Sequence, residues 1–175
     1  MILHFVDLIC FYRYCDVFSN RRYATGILRH LFVYKAVMCN TNIEVSMVTG
    51  SCLCGNVKYE ISGKIGDIVH CHCQTCRKAH GSAFSSVAGV QYSDFKLIGD
   101  VKLGCYESSP GKNRYFCPNC ATQIYAKKDG TKHIVLRLGS LDDDPKSKEL
   151  NHIWVSQKAS WYSLNSNLPE QLEFE

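Results

Sequence analysis

Residues 70–78 read HCHCQTCRK, three cysteines and two histidines in nine positions. Cys71 and Cys73 stand two apart, the repeat of an extended strand, so both sulfurs face one side and His72 points away from them. His72 is therefore expected at the surface or behind the thiols, not among them. From Gln74 to His80 the chain reads as one or two helical turns, stopped by Gly81. The stretch predicts a strand running into a very short helix, with a compact thiol triple at the joint.

Outward from this joint the chain reads as short strands and turns. In NVKYEI, Val57, Tyr59 and Ile61 alternate with Asn56, Lys58 and Glu60, the pattern of a half-buried strand. VKLGCYE alternates through Val101, Leu103 and Cys105, which assigns Cys105 to an apolar face as a small core residue. SSPGKN carries a Pro-Gly turn and predicts a hairpin. HIVLRLG reads as a strand, LDDDPKSK as a polar loop, and HIWV as a return to strand. No repeat or low-complexity tract interrupts the series. The expected fold is mainly β, one domain over residues 47–175 with very little helix.

The first 46 residues are of a different kind. MILHFVDLICFYRYCDVF is apolar and aromatic, but Asp7, Arg13 and Asp16 break it short of a membrane span. A secretory signal would open on positive charge, and Asp7 precedes any Arg or Lys. Arg13, Arg21, Arg22 and Arg29 leave a mitochondrial presequence as a lesser reading. The preferred expectation is a poorly ordered extension, with Met47 a natural first residue of the domain. Net charge is +4 over 175 residues and is spread along the chain, while the tail NSNLPEQLEFE is acidic. That balance favours small anionic partners over a nucleic-acid surface.

Eleven cysteines in a chain of this length, many in C-x-C and C-x-x-C pairs, suggest reduced thiolates holding metal in a cytosolic or nuclear setting. Seven of them divide as four plus three. Cys52, Cys54, Cys117 and Cys120 make two pairs and a closed structural site; Cys71, Cys73 and Cys76 make a site one ligand short. Sulfurs on a tetrahedral zinc lie about 3.8 Å apart, closer than a flat strand allows, and Gly55 offers the needed bend after Cys54. Completion of the triple by His70, His72, His80 or a remote thiol, giving a second closed site, is the competing reading. Cys10, Cys15 and Cys39 have no metal spacing.

Four segments in order, GSCLCGNVKYEISG, HCHCQTCRKAHGSAF, YESSPGKNRYFCPNC and HIWVSQKASWY, resemble the glutathione-dependent formaldehyde-activating enzyme family, whose domain is shared with centromere protein V. The resemblance implies a zinc-binding β-tent-type fold with two zinc ions per chain. In it, Cys52, Cys54, Cys117 and Cys120 hold the structural ion, and Cys71, Cys73 and Cys76 the catalytic one. It also implies a carbon–sulfur lyase that joins glutathione, as co-substrate, to formaldehyde as S-hydroxymethylglutathione. One departure is Ala121, where the family has glycine after the C-x-x-C; a positive φ there is costly for alanine.

The chemistry of a three-thiolate zinc agrees with that expectation. Such an ion is electron-rich, a poor activator of water and a good acceptor for a further soft ligand, the thiol of a substrate. Arg77, Lys78 and Arg114 are the candidate contacts for glutathione carboxylates, with Lys112 beside them. The alternative from another class is a non-catalytic zinc module binding protein or nucleic acid. The acidic tail weighs against it.

Overall fold

The computed structural model describes residues 47–174, so the extension expected over residues 1–46 lies outside the described residues. Ten strands follow in order: β1 (Val48–Ser51), β2 (Lys58–Ile61), β3 (Ile68–Cys71), β4 (Ser85–Gln91), β5 (Phe95–Ile98), β6 (Gly104–Ser109), β7 (Lys112–Phe116), β8 (Gln123–Lys128), β9 (His133–Arg137) and β10 (Glu149–Ile153). A single seven-residue α-helix, α1 (Gln74–His80), joins β3 to β4 among the described residues. The fold is mainly β, as the short alternating segments predict. No described helix is long and apolar enough to cross a membrane.

The strands form two sheets. The small one has the order β1-β2-β5 and the large one β10-β3-β4-β9-β8-β7-β6. All pairs are antiparallel except β10 with β3. Between the sheets lies the main core, in which Val57, Tyr59 and Ile61 are fully buried on the face their alternation predicts. They meet Ala88, Val90, Ile134 and Leu136 of the large sheet, each such side chain worth roughly 1.5–3 kcal/mol when fully buried. The Tyr59 hydroxyl pairs with Ser140 Oγ at 2.8 Å. Gly50 lies so close to the Tyr59 ring that any Cβ would overlap it.

Register decides what each face of the large sheet carries, because cross-strand partners share a face. One row runs Ala88, Leu136, Tyr125, Tyr115, Cys105. Its inner members face the small sheet. Cys105 therefore has the parity expected of it but not the burial: it sits on the edge strand β6 and is exposed. The core reading of Cys105 fails because alternation reports a face and not whether anything covers it. The predicted hairpin is present, with Pro110 and Gly111 between β6 and β7 and φ +71° at Gly111.

The opposite face carries a second row, Gly89, Val135, Ala126, Arg114, Tyr106. Cys71 and Arg137 share its parity: Cys71 pairs Ser85 and Arg137 pairs Val87, both an even number of residues from Gly89 along β4. Helix α1 packs against β4. Gly81, with φ +59°, ends α1 as the sequence predicts.

At the β10 end, His70, His72 and His152 gather with Phe84 and Tyr162. His72 points away from the thiols by parity but is fully buried, so a surface position for it is wrong. The pairing of β10 with β3 and the packing of Tyr162 close over it, contacts that local spacing does not reveal. The strand expected at HIWV begins earlier, at Glu149, and stops at Ile153, because Trp154 takes a left-handed φ of +57°.

Candidate metal centres and the clefts beside them

The first thiol cluster is built from two turns. After β1, Cys52 N donates to Val57 O and Gly55 N to Cys52 O, with φ +74° at Gly55. The C-x-C thus sits in a turn, which brings Cys52 Sγ and Cys54 Sγ to 3.5 Å. After β7, Ala121 N donates to Cys117 O and Cys117 N to Thr122 O. Ala121 closes that turn with φ +60°, the conformation that made its methyl group conspicuous in the sequence. Cys54 Sγ and Cys117 Sγ are 3.7 Å apart, and all four sulfurs, with Cys120, lie within 4.8 Å of one another. Edges near 3.8 Å are those of a tetrahedral thiolate site.

Neutral donors surround this cluster. Val57 N–H lies 3.2 Å from Cys52 Sγ, and the Thr122 hydroxyl 3.2 Å from Cys120 Sγ. The Thr122 hydroxyl pulls the Cys120 thiol down to about 5. The Asn119 side chain, then the Asn56 backbone, lower Cys54. Burial pushes Cys117 up to about 11.

In the second cluster, Cys71 ends β3, Cys73 is the N-cap of α1 and Cys76 lies in its first turn; their sulfurs also fall within 4.8 Å. Cys73 Sγ accepts the Cys76 N–H at 3.4 Å, so the helix start itself fixes the geometry. Gln157 holds that start from outside, accepting from Gln74 N at 2.9 Å. None of His70, His72 or His80 joins the triple. His70 pairs with Ser86 and Glu149, His72 Nε2 with His152 Nδ1 at 2.9 Å, and His80 Nε2 with Ser85 Oγ at 3.1 Å.

Cations surround the triple. Arg114 Nη2 lies 3.8 Å from Cys76 Sγ. Arg114 and Arg137 are only 6% and 3% exposed, and neither forms a salt bridge among the described residues. Hydrogen bonds from Cys71 and Cys73, then the charges of Arg137 and Arg114, hold Cys76 well below the usual thiol range. Hydrogen bonding within the triple, chiefly with Cys73, raises Cys71. Burial, then Arg137, lowers Lys112. Burial also lowers His80, to about 4.

Two clefts open beside these arginines. The larger, about 610 Å³, lies between α1 and the outer strands and is lined by Lys78 and Arg114 together with Gln74, Tyr106 and Phe116. Arg77 does not line it; its Nε donates to His72 O at 3.3 Å. The smaller, about 410 Å³, is lined by Arg137, His80, Ser85 and Thr122. Ala79 and Gln123 line both. Arg137 went unremarked in the sequence, although a lone arginine ending the apolar run HIVL was a visible signal.

Comparison with known proteins follows the same lines. The profile of the "Glutathione-dependent formaldehyde-activating enzyme" family matches residues 47–157. An uncharacterized lyase of Schizosaccharomyces pombe is 32% identical over 76 residues, 43% of this chain and 54% of that protein. The chain thus aligns with about half the length of that relative. A crystal structure of a Rhodobacter sphaeroides protein is similar at a TM-score of 0.46 and 21% identity, covering 55% of this chain and 89% of that one. With more than half of its residues matched by the profile, the chain belongs to the glutathione-dependent formaldehyde-activating enzyme family.

Proposed function

We propose that residues 47–175 form a zinc-dependent carbon–sulfur lyase that joins the glutathione thiol to formaldehyde or another small aldehyde, giving S-hydroxymethylglutathione in the formaldehyde case. In this reading Cys52, Cys54, Cys117 and Cys120 hold a structural zinc, and Cys71, Cys73 and Cys76 hold a second one. Zinc held by the triple would supply a soft acceptor that draws the proton from a substrate thiol near neutral pH.

One observation carries the reading: Arg114 both touches Cys76 Sγ and lines the 610 Å³ cleft, so a ligand in that cleft lies one side chain from the thiol triple. A volume of that size suits a tripeptide. Lys78, on α1, and Arg114, on β7, stand on opposite walls and offer cationic groups to the two glutathione carboxylates. Arg77 has a positioning role instead, tying the His72 carbonyl to the helix. The thiolate sulfur adds to the carbonyl carbon, the carbon–oxygen π pair moves to oxygen, and oxygen takes up the proton that the thiol released.

Calorimetric titration of the reduced, zinc-loaded protein with glutathione tests the reading, with S-methylglutathione as control. The expected outcome is binding of glutathione alone, with proton release. Equal binding of both, or of neither, refutes a thiol-accepting position. Cys73→Ser should lower the zinc content from two ions to one with the fold retained; an unfolded variant would make the triple structural.

A further inference from the structure

Arg137 keeps a buried hydrogen-bond donor outside the cleft proposed for glutathione. Its side chain is 3% exposed, and its Nε has no hydrogen-bond partner among the described residues. Its charge faces the thiol triple, where it lowers Cys76, but a buried N–H without an acceptor is costly in itself. Arg114 is also poorly satisfied, with Nε and Nη1 unpartnered, but it already serves the larger cleft. Arg137 instead lines the 410 Å³ cleft on the other side of Ala79 and Gln123, and no carboxylate lines that cleft.

The remaining wall fits the same kind of occupant. Ser85, Ser86, Thr122 and Ser140 line it with hydroxyls that already hold partners in the fold, beside His80 and Cys120 of the first thiol cluster. Gln123, whose Oε1 has no partner among the described residues, lines both clefts. Formaldehyde has two heavy atoms and no charge. It needs neither a cleft of that volume nor a guanidinium. The planar fork of an arginine matches a carboxylate in two parallel hydrogen bonds.

We infer that the smaller cleft binds the carboxylate of the carbonyl substrate, so that the substrate class is an aldehyde bearing an α-carboxylate, of which glyoxylate is the smallest. The inference rests on the proposed thiol–aldehyde reading and adds the identity of the second reactant. Its chemistry balances as before: sulfur bonds to the carbonyl carbon, the π pair goes to oxygen with the thiol's proton, and the carboxylate is unchanged on Arg137. Glutathione and the anionic aldehyde then enter by separate clefts on either side of Ala79 and Gln123.

The test uses glycolate, an unreactive α-hydroxy carboxylate, titrated into the full-length, reduced, zinc-loaded protein with and without saturating glutathione. Glycolate should bind in both cases with an affinity changed less than threefold. Arg137→Met should weaken it at least tenfold, and Arg137→Lys should restore part of the loss. Competition with glutathione would assign Arg137 to the glutathione site and overturn the inference, as would no glycolate binding at all or an unchanged affinity in Arg137→Met. If Arg137→Met does not fold, the competition on the unaltered protein still decides. Glycolate binding with no glutathione binding would instead refute the thiol-accepting reading while leaving an anion site. With both sites present, glyoxylate should exceed formaldehyde in kcat/KM, and the reverse order would remove the substrate class.

Discussion

Ala121→Gly should stabilise the domain, and the size of the gain follows from the backbone. Ala121 has φ +60° and donates its N–H to Cys117 O at 2.9 Å, so the turn around the first thiol cluster cannot relax without breaking that bond. The left-handed region costs a non-glycine residue roughly 1–2 kcal/mol. Glycine is freer in the unfolded chain, which offsets about 0.5–1 kcal/mol of the relief. The methyl group is exposed, so its removal loses no core burial. A net gain of about 0.5–1 kcal/mol remains, or roughly 2–4 °C in Tm for a domain of this length. Urea unfolding of the reduced, metal-loaded protein measures it as a higher midpoint at unchanged slope. Ala126→Gly is the control: Ala126 is fully buried in β8, and its loss should destabilise. A midpoint for Ala121→Gly at or below that of the unaltered protein would refute the strain argument.

Cys117→Ser should sharply lower the thermal midpoint and the metal content together, since Cys117 is fully buried between the two turns; a stable variant with unchanged metal content would refute its role as a ligand. Gly50→Ala should cost about 1–3 kcal/mol or more through overpacking against the Tyr59 ring, read as a lower urea midpoint; an unchanged midpoint would mean that the ring has room to move. Tyr59→Phe should cost about 1 kcal/mol at neutral pH, because Ser140 Oγ loses that partner while keeping its bond to Arg137 O. Burial raises the Tyr59 hydroxyl from 10 to about 12, so the folded state retains a proton that the unfolded chain loses between those values. Its contribution is full below pH 10 and declines by roughly 2–3 kcal/mol as pH rises through 12. The gap between the two proteins should therefore narrow or reverse by pH 11, and a constant gap would refute the coupling.

What the sequence made legible was local. Val57, Tyr59 and Ile61 declared a buried face because strand parity needs only neighbours along the chain. The α1 helix was readable from Gln74 and Gly81, a turn and its stop. The triple was readable from its spacing alone, while Cys52 and Cys54 were joined to Cys117 and Cys120 by counting ligands for a closed site and by the family resemblance. Long-range facts were not. Cys105 has the right parity and the wrong neighbours, since only sheet order tells that β6 is an edge. β4, SSVAGVQ, escaped notice although it is central, because serines and a glycine dilute its valines. His72 looked like a spacer between ligands until β10 and the segment around Tyr162 closed over it. Arg137 stood out in the sequence as a lone arginine after an apolar run, but its place on the face of Cys71 and Ser85 followed only from the register.

That face also explains why the two thiol clusters differ. A divalent ion on four thiolates leaves a charge of −2, and on three thiolates −1. At the first cluster Cys54 is exposed and Cys120 half-buried, so water can solvate the excess, and neutral donors from Val57 and Thr122 suffice. At the second, Cys71 and Cys76 are 6% and 7% exposed and only Cys73 is half-buried, so less water reaches the sulfurs. There Arg114 and Arg137 contribute two positive charges, one more than three thiolates on a divalent ion require. A fourth thiolate brings the count to zero. The fold alone therefore holds an excess of buried positive charge, which costs stability until an anionic ligand arrives. Glutathione should accordingly raise the thermal midpoint of the zinc-loaded protein well beyond what S-methylglutathione achieves at equal concentration. Neutralising Arg114 should shrink that difference even where the ligand-free protein becomes more stable.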